Sequence, residues 1–426
     1  MSNSRPLSPQ ATPAHILVKP AGPDCNLRCG YCFYLEKHAL FKEGKPCRMP
    51  DIVLENYTRS YIASQPTREI EFAWQGGEPT LLGVDFFRRA VELQKKYGAG
   101  RVITNSLQTN GTLLDDEWCE FLAAEKFLIG LSIDGPEDIH NRYRVNADGR
   151  GSFDKVMKAA ARMKKHGVEF NSLTCITRES AYEAKRIYRF LREAGFQFMQ
   201  FIPIVERMPD DAADQLGLNL ATPPDISADA DSPSVMPFTV EPAAYGQFLC
   251  DIFDEWIKRD VGRIFVNHFD VTLAAWTGMN PPLCVYSKTC GSALAVEHDG
   301  NVYACDHFVY PQYLRGNLMQ EDLGSIISNM RQRSFGMQKA LGLTDDCKQC
   351  RHLRACHGGC LKHRFTRSST GQPGHNYLCA GYLRFFDHVA PYMDKMVDLL
   401  RQQRPPADIM RELPLNRDLT SAPGEA

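Results

Sequence analysis

The 426-residue chain has no apolar run near the roughly 18 to 20 residues that a membrane span needs, and its N-terminus, MSNSRPLSPQATPAH, lacks the apolar core of a secretory signal. A soluble, cytoplasmic protein with no membrane partner is expected. Nor is there a surplus of positive charge: 49 Lys and Arg stand against 51 Asp and Glu, a formal net charge of -2. No nucleic-acid partner is expected, because phosphate backbones are held by a basic excess. Internal repeats at periods of about 20 to 50 residues are also missing, which argues against a solenoid or propeller.

Cysteine, by contrast, is abundant. Fifteen is many for a reducing compartment, where disulfides do not persist. Cys25, Cys29 and Cys32 form one tight group, and eight more lie between Cys284 and Cys379. That second window reaches the cysteine density of a disulfide scaffold. The odd total, the missing secretory signal and the two separate groups point instead to thiolate-built soft-metal or iron–sulfur sites. Cys47, Cys119, Cys175 and Cys250 are scattered and read as small buried hydrophobes.

Along residues 1–205, short apolar strands alternate with amphipathic helices. Strands are expected at 15–20, 69–74, 101–109, 127–134, 169–177 and 196–205. Helices are expected at 84–97, 115–125, 153–166 and 180–194, with Gly167 and Gly195 as stops. This order implies an α/β fold with parallel strands, either an open doubly wound sheet or a full or partial β/α barrel, and six units suit a partial (β/α)6 TIM-type barrel. The expected division is a barrel over 15–240, with a loop or linker at 207–237, and a connecting helical segment over 241–280. A cysteine-rich unit over 281–385 follows, then a C-terminal helix and disordered tail over 386–426.

The run Cys25-Asn-Leu-Arg-Cys29-Gly-Tyr-Cys32 lies in the loop after the first strand, on the face where barrel active sites are assembled. Three thiolates so spaced can hold three irons of a 4Fe-4S cube and leave the fourth open; a zinc site completed by a distant ligand is the plainer alternative. Gln75-Gly76-Gly77-Glu78-Pro79 ends the second strand, and its paired glycines allow backbone amides close to a bound group. Thr109-Asn-Gly-Thr112 ends the third strand and Ser132-Ile-Asp-Gly135 the fourth, so four polar features gather at one mouth.

CxxxCxxC with Tyr31 before the last cysteine, then GGEP and SIDG, resembles the radical S-adenosylmethionine enzymes over residues 15–205. The resemblance implies that Cys25, Cys29 and Cys32 hold a cluster whose open iron is chelated by S-adenosylmethionine. It also implies cofactor contacts at Tyr34, Gly76, Gly77, Glu78, Ser132, Arg144 and, as a weaker match, Val205. The chemistry so implied is cleavage to a 5'-deoxyadenosyl radical, with an electron donor such as flavodoxin or ferredoxin as partner.

The later cysteines run Cys284-x5-Cys290-x14-Cys305, then Cys347-x2-Cys350-x5-Cys356-x3-Cys360-x18-Cys379. Eight thiols make two tetrads, zinc or 4Fe-4S, and spacing alone would group 347, 350, 356 and 360. The run also resembles the SPASM extension of peptide-modifying radical enzymes. That resemblance implies one auxiliary cluster on Cys284, Cys290, Cys305 and Cys360 and another on Cys347, Cys350, Cys356 and Cys379, hence three 4Fe-4S clusters in all. Val302-Tyr-Ala-Cys305-Asp306-His307, Leu314-Arg-Gly-Asn-Leu318 and QGGEPTLLG are most similar to anaerobic sulfatase-maturating enzymes. This implies a sulfatase polypeptide as substrate and oxidation of its Cys or Ser to Cα-formylglycine, with Asp306 as general base. His307 departs from the aromatic expected there and is taken as a structural neighbour. Another SPASM enzyme that modifies peptides and a non-enzymatic iron–sulfur electron carrier are the alternatives.

Overall fold

In the computed structural model, residues 13–41, 46–226, 234–281 and 283–414 are described. Six parallel strands form in chain order: β1 (His15–Lys19), β2 (Glu69–Trp74), β3 (Val102–Thr109), β4 (Leu128–Ser132), β5 (Glu169–Ile176) and β6 (Phe198–Pro203). Each pairs with the next, as short apolar strands joined by helical crossovers do. The crossovers are α1 (Asp51–Ser64), α2 (Val84–Tyr97), α3 (Asp116–Ala124), α4 (Glu137–Tyr143), α5 (Phe153–His166) and α6 (Ala184–Glu193). On α6, Ile187, Tyr188 and Leu191 are buried at helical spacing while the charged face is outward. Gly167 (φ 70°) ends α5 in the left-handed region, where a side chain would be strained.

The sheet does not stop at six strands. β7 (Phe265–Val266) adds to β6, and on the other edge β8 (Ala293–Glu297) runs parallel to β1, followed by antiparallel β9 (Asn301–Tyr303) and β10 (Leu314–Asn317). The cysteine-rich half is therefore hydrogen-bonded into the barrel sheet, and the register sets Lys19 opposite Glu297.

The 207–237 stretch, expected to be a surface loop, carries the short helix α7 (Asp211–Gln215) and buries Ala213, Leu218 and Leu220; residues 227–233 lie outside the described residues. Next come α8 (Pro242–Trp256), α9 (Asn267–Trp276), α10 (Leu323–Ser328), α11 (Met330–Leu341), α12 (Asp345–Gln349), α13 (Leu353–Cys356) and α14 (Cys379–Arg401). Glycines let α8 and α14 meet: a Cβ on Gly246 would stand 2.5 Å from the Gly381 carbonyl oxygen. Beyond α14, where a frayed tail is expected, a helical turn at Pro406–Arg411 buries Ile409 and is held by the Arg404–Asp408 ion pair. The rest of that tail, 415–426, lies outside the described residues. Among the described residues, no helix is long and apolar enough to cross a membrane.

Candidate active site

The Cys25–Cys32 loop leaves β1 and is gripped from two sides. On one side the Gly77 and Glu78 amides donate to the carbonyls of Gly22 and Asp24, at 2.8 and 2.7 Å. On the other, the Arg28 and Gly30 amides donate to Val145 and Tyr143. The paired glycines serve this grip more than they serve a ligand: Gly76 has φ 129°, and a Cβ on Gly77 would sit 2.0 Å from the Asp24 carbonyl oxygen. The Gly77 amide is spent on the loop. Glu78 is likewise committed. Its buried carboxylate accepts from the Thr80 amide and hydroxyl, the Thr109 hydroxyl and the Asn110 amide, at 2.6–3.0 Å.

The three thiols face one another at the barrel mouth. Burial pushes Cys25 and Cys29 up to about 12, with neighbouring thiols adding to the rise, while Arg144 pulls Cys29 the other way. Burial raises Cys32 too. Thiols that resist ionisation in so tight a group are suited to a metal centre, whose positive charge stabilises thiolates. Behind Cys29, the buried Arg144 guanidinium donates to Asp134 at 2.9 Å, and the Tyr31 hydroxyl donates to the same oxygen at 2.5 Å. Arg144 is thus fixed by Asp134 of the SIDG motif, so its guanidinium braces the site from behind. Ser132 ends β4, half-buried, and Val205 is buried beyond β6. The Gln75 side-chain oxygen is buried with no hydrogen-bond partner among the described residues, a free acceptor at the mouth.

Across the mouth stands Asp306. Lys19, 1% exposed at the end of β1, forms an ion pair with its Oδ1. Apart from Lys19, that oxygen has no polar partner among the described residues. The Lys19 ammonium also lies 3.9 Å from the centre of the Tyr34 ring, and the Tyr34 hydroxyl donates to Glu297. Tyr34 therefore stands under Lys19, with its polar end already satisfied. Burial alone would raise the Asp306 carboxyl, but the charges of Lys19 and, less closely, Lys362 prevail and hold it below its ordinary value. Burial, aided by Lys362, pushes His307 down to about 4, so its ring is neutral; Nδ1 lies 3.8 Å from the Cys360 sulfur. Phe33, Val205, Glu206, His307 and Lys362 line a small cavity beside them.

The eight later cysteines fall into two sets. After burial, Cys360 is the strongest influence raising Cys284, Cys290 and Cys305 alike. Cys356 feels Cys379, Cys347 and Cys350 instead. These influences set Cys360 beside Cys284, Cys290 and Cys305, whereas spacing alone puts it with Cys347, Cys350 and Cys356. Buried Lys339 donates to the Cys284 and Val285 carbonyls, bringing positive charge to the first set. His375, 3.9 Å from the Cys347 sulfur, is raised to about 10 by its contacts with Cys347 and then Cys379. Lys19, Glu297, Lys339 and His375 had no signal in the sequence beyond charge at the end of an apolar run or near a cysteine.

Residues 20–205 match the Radical SAM superfamily and residues 284–351 match SPASM, an iron–sulfur cluster-binding domain. A serine-type anaerobic sulfatase-maturating enzyme of Bacteroides thetaiotaomicron is 46% identical over 95% of this chain and 96% of its own length. The chain belongs to the anaerobic sulfatase-maturating enzymes. The cysteine-type enzyme of Clostridium perfringens is 33% identical, over 89% of this chain and 97% of its own. A solved structure described as native anSMEcpe with bound AdoMet and Cp18Cys peptide superposes with a TM-score of 0.78 at 32% identity, covering 91% of this chain and all of that one. This sulfatase-maturating enzyme accordingly joins a Radical SAM domain to an iron–sulfur cluster-binding SPASM domain.

Proposed function

We propose that this enzyme oxidises a serine of a sulfatase polypeptide to Cα-formylglycine, with Asp306 as the general base. The observation that carries the reading is the Lys19–Asp306 ion pair, which ties the end of the strand that feeds the Cys25–Cys32 loop to the residue after Cys305. A base placed there lies between the first thiol group and the later ones. Serine is favoured by the higher identity to relatives named serine-type, 46% and 37%, than to those named cysteine-type, 33%.

Cys25, Cys29 and Cys32 are assigned the cluster that binds S-adenosylmethionine. Cys284, Cys290, Cys305 and Cys360 take the first auxiliary cluster, and Cys347, Cys350, Cys356 and Cys379 the second. Gly76, Ser132 and Val205 line the cofactor site, while Gly77, Glu78, Tyr34 and Arg144 hold its walls. When bound, these groups supply one-electron chemistry: a 5'-deoxyadenosyl radical to take a Cβ hydrogen and an acceptor for the remaining electron. The chain's own part is proton transfer and exclusion of water. Asp306 keeps its charge in a buried site, and with Lys19 on Oδ1 its Oδ2, which no hydrogen bond among the described residues engages, receives the hydroxyl proton. Neutral His307 and the Phe33 ring shield that proton from solvent.

The electron donor is assigned to a small carrier such as flavodoxin or ferredoxin, and the location to the cytoplasm, where exposed thiols stay reduced. Neither nucleic acid nor membrane is assigned as a partner, in keeping with the balanced charge. The test is to incubate the reconstituted enzyme with paired sulfatase-derived peptides carrying Ser or Cys at the target and to read both by mass spectrometry. Formylglycine from the serine peptide is the expected result. Conversion of the cysteine peptide alone would overturn the serine assignment.

A further inference from the structure

Lys19 is an unusual occupant of its position. It is the last residue of an apolar strand, is 1% exposed, and brings a charge into the space between two halves of the sheet. A buried lysine is retained only where its charge is matched, and here the match is Asp306. Its freedom is removed from every side that carries a polar group. The Tyr34 ring lies under the ammonium at 3.9 Å, Glu297 anchors the Tyr34 hydroxyl, and the β1–β8 register fixes Glu297 opposite Lys19. Glu297, Tyr34 and Lys19 thus form one line of contacts that ends on a carboxylate oxygen of Asp306.

We propose that Lys19 is a positioning residue for the reaction: clamped by Tyr34 and Glu297, it holds Asp306 by Oδ1 so that Oδ2 points at the proton to be removed. This rests on the reading of Asp306 as the base. Asp306 opens a short helical turn just after β9, and its buried Oδ1 has no polar partner among the described residues other than Lys19. Lys19 is therefore the contact that chooses its rotamer. A misplacement of about 1 Å in such a group can cost on the order of a hundredfold in rate. The proton still passes from the substrate hydroxyl to Asp306, and Lys19 neither gives nor takes one.

The experiment uses the cluster-replete enzyme with a sulfatase-derived peptide and compares Lys19→Met, Lys19→Arg, Asp306→Asn and the double variant Lys19→Met/Asp306→Asn. Formylglycine and 5'-deoxyadenosine are measured together, with iron per chain and the KM for peptide. Lys19→Met should lower formylglycine per 5'-deoxyadenosine by roughly tenfold or more, with iron and KM near the parent, and Lys19→Arg should recover most of the loss. In the Asp306→Asn background, Lys19→Met should cost nothing further, because the lysine acts through the aspartate. Coupling within about twofold of the parent in Lys19→Met, or a further loss in the double variant, would overturn the positioning role. Loss of auxiliary iron in Lys19→Met would make the lysine a brace of the fold and overturn it too. Unchanged coupling in Asp306→Asn would instead overturn the base assignment itself.

Discussion

The His307 ring nitrogen Nδ1 lies 3.8 Å from the sulfur of Cys360, joining the turn after Cys305 to a cysteine far along the chain. Cys360 is drawn into the company of Cys284, Cys290 and Cys305 although Cys356 is its near neighbour in sequence. Replacing Cys360 by Ala should therefore damage the same cluster as replacing Cys284. Replacing Cys347 or Cys379 should damage the other. Electron paramagnetic resonance of the four reduced variants should sort them into those two pairs, and a Cys360 spectrum matching that of Cys347 would contradict the grouping.

Triple replacement of Cys25, Cys29 and Cys32 by Ala should leave about eight of about twelve irons and abolish 5'-deoxyadenosine formation. Iron and sulfide analysis with chromatography of the nucleoside checks both. Persistent 5'-deoxyadenosine would place cofactor cleavage elsewhere.

Glu78→Gln tests the brace under the cluster loop. The carboxylate accepts from four donors, and an amide nitrogen in place of either oxygen would face a donor with another donor. A stability loss of about 1 to 3 kcal/mol is expected, together with weaker S-adenosylmethionine binding, since those bonds join the GGEP turn to the turn after β3. Denaturant unfolding and equilibrium dialysis measure the two. Parent-like values in both would show that the turn holds without the carboxylate.

Acid sensitivity has an identifiable source in His268, buried in the α9 layer with the Tyr286 hydroxyl 2.5 Å from Nε2. Burial pushes its pKa from 6.5 down to about 3. The unfolded chain takes up this proton near pH 6.5 and the folded chain only near pH 3, so stability is intact above about 6.5 and falls as pH drops through that window. About one unit below the unfolded value the loss reaches about 1.4 kcal/mol. Unfolding of the parent and of His268→Gln at about pH 7.5 and about pH 5.5 should show a loss in the parent that is larger by this amount. Equal losses would assign the acid sensitivity to other groups.

Much of this was legible in the residues themselves. The strands β1 to β6 follow from apolar runs bounded by Gly and Pro. The Cys25–Cys32 run, GGEP and SIDG are local motifs whose residues act near one another. What resisted reading is pairing at a distance. Tyr34 meets Glu297 across 263 residues, and β8, a five-residue run, extends the barrel sheet by pairing with β1. No local periodicity encodes such a partner. Cys360 shows the same limit, because spacing favours its neighbours while the fold delivers it elsewhere. Glu78 shows another: a motif residue reads as a ligand contact, yet its side chain turns inward to satisfy the loops around it.

The central claim, that Asp306 takes the substrate proton during formylglycine formation, is tested most directly by Asp306→Asn. Asparagine keeps the size but cannot accept a proton at neutral pH. Mass spectrometry of a serine-containing sulfatase peptide, with 5'-deoxyadenosine measured in parallel, should show the nucleoside still formed and formylglycine reduced by a factor of roughly 10² to 10⁴ with all iron retained. Formylglycine within about threefold of the parent would contradict the account.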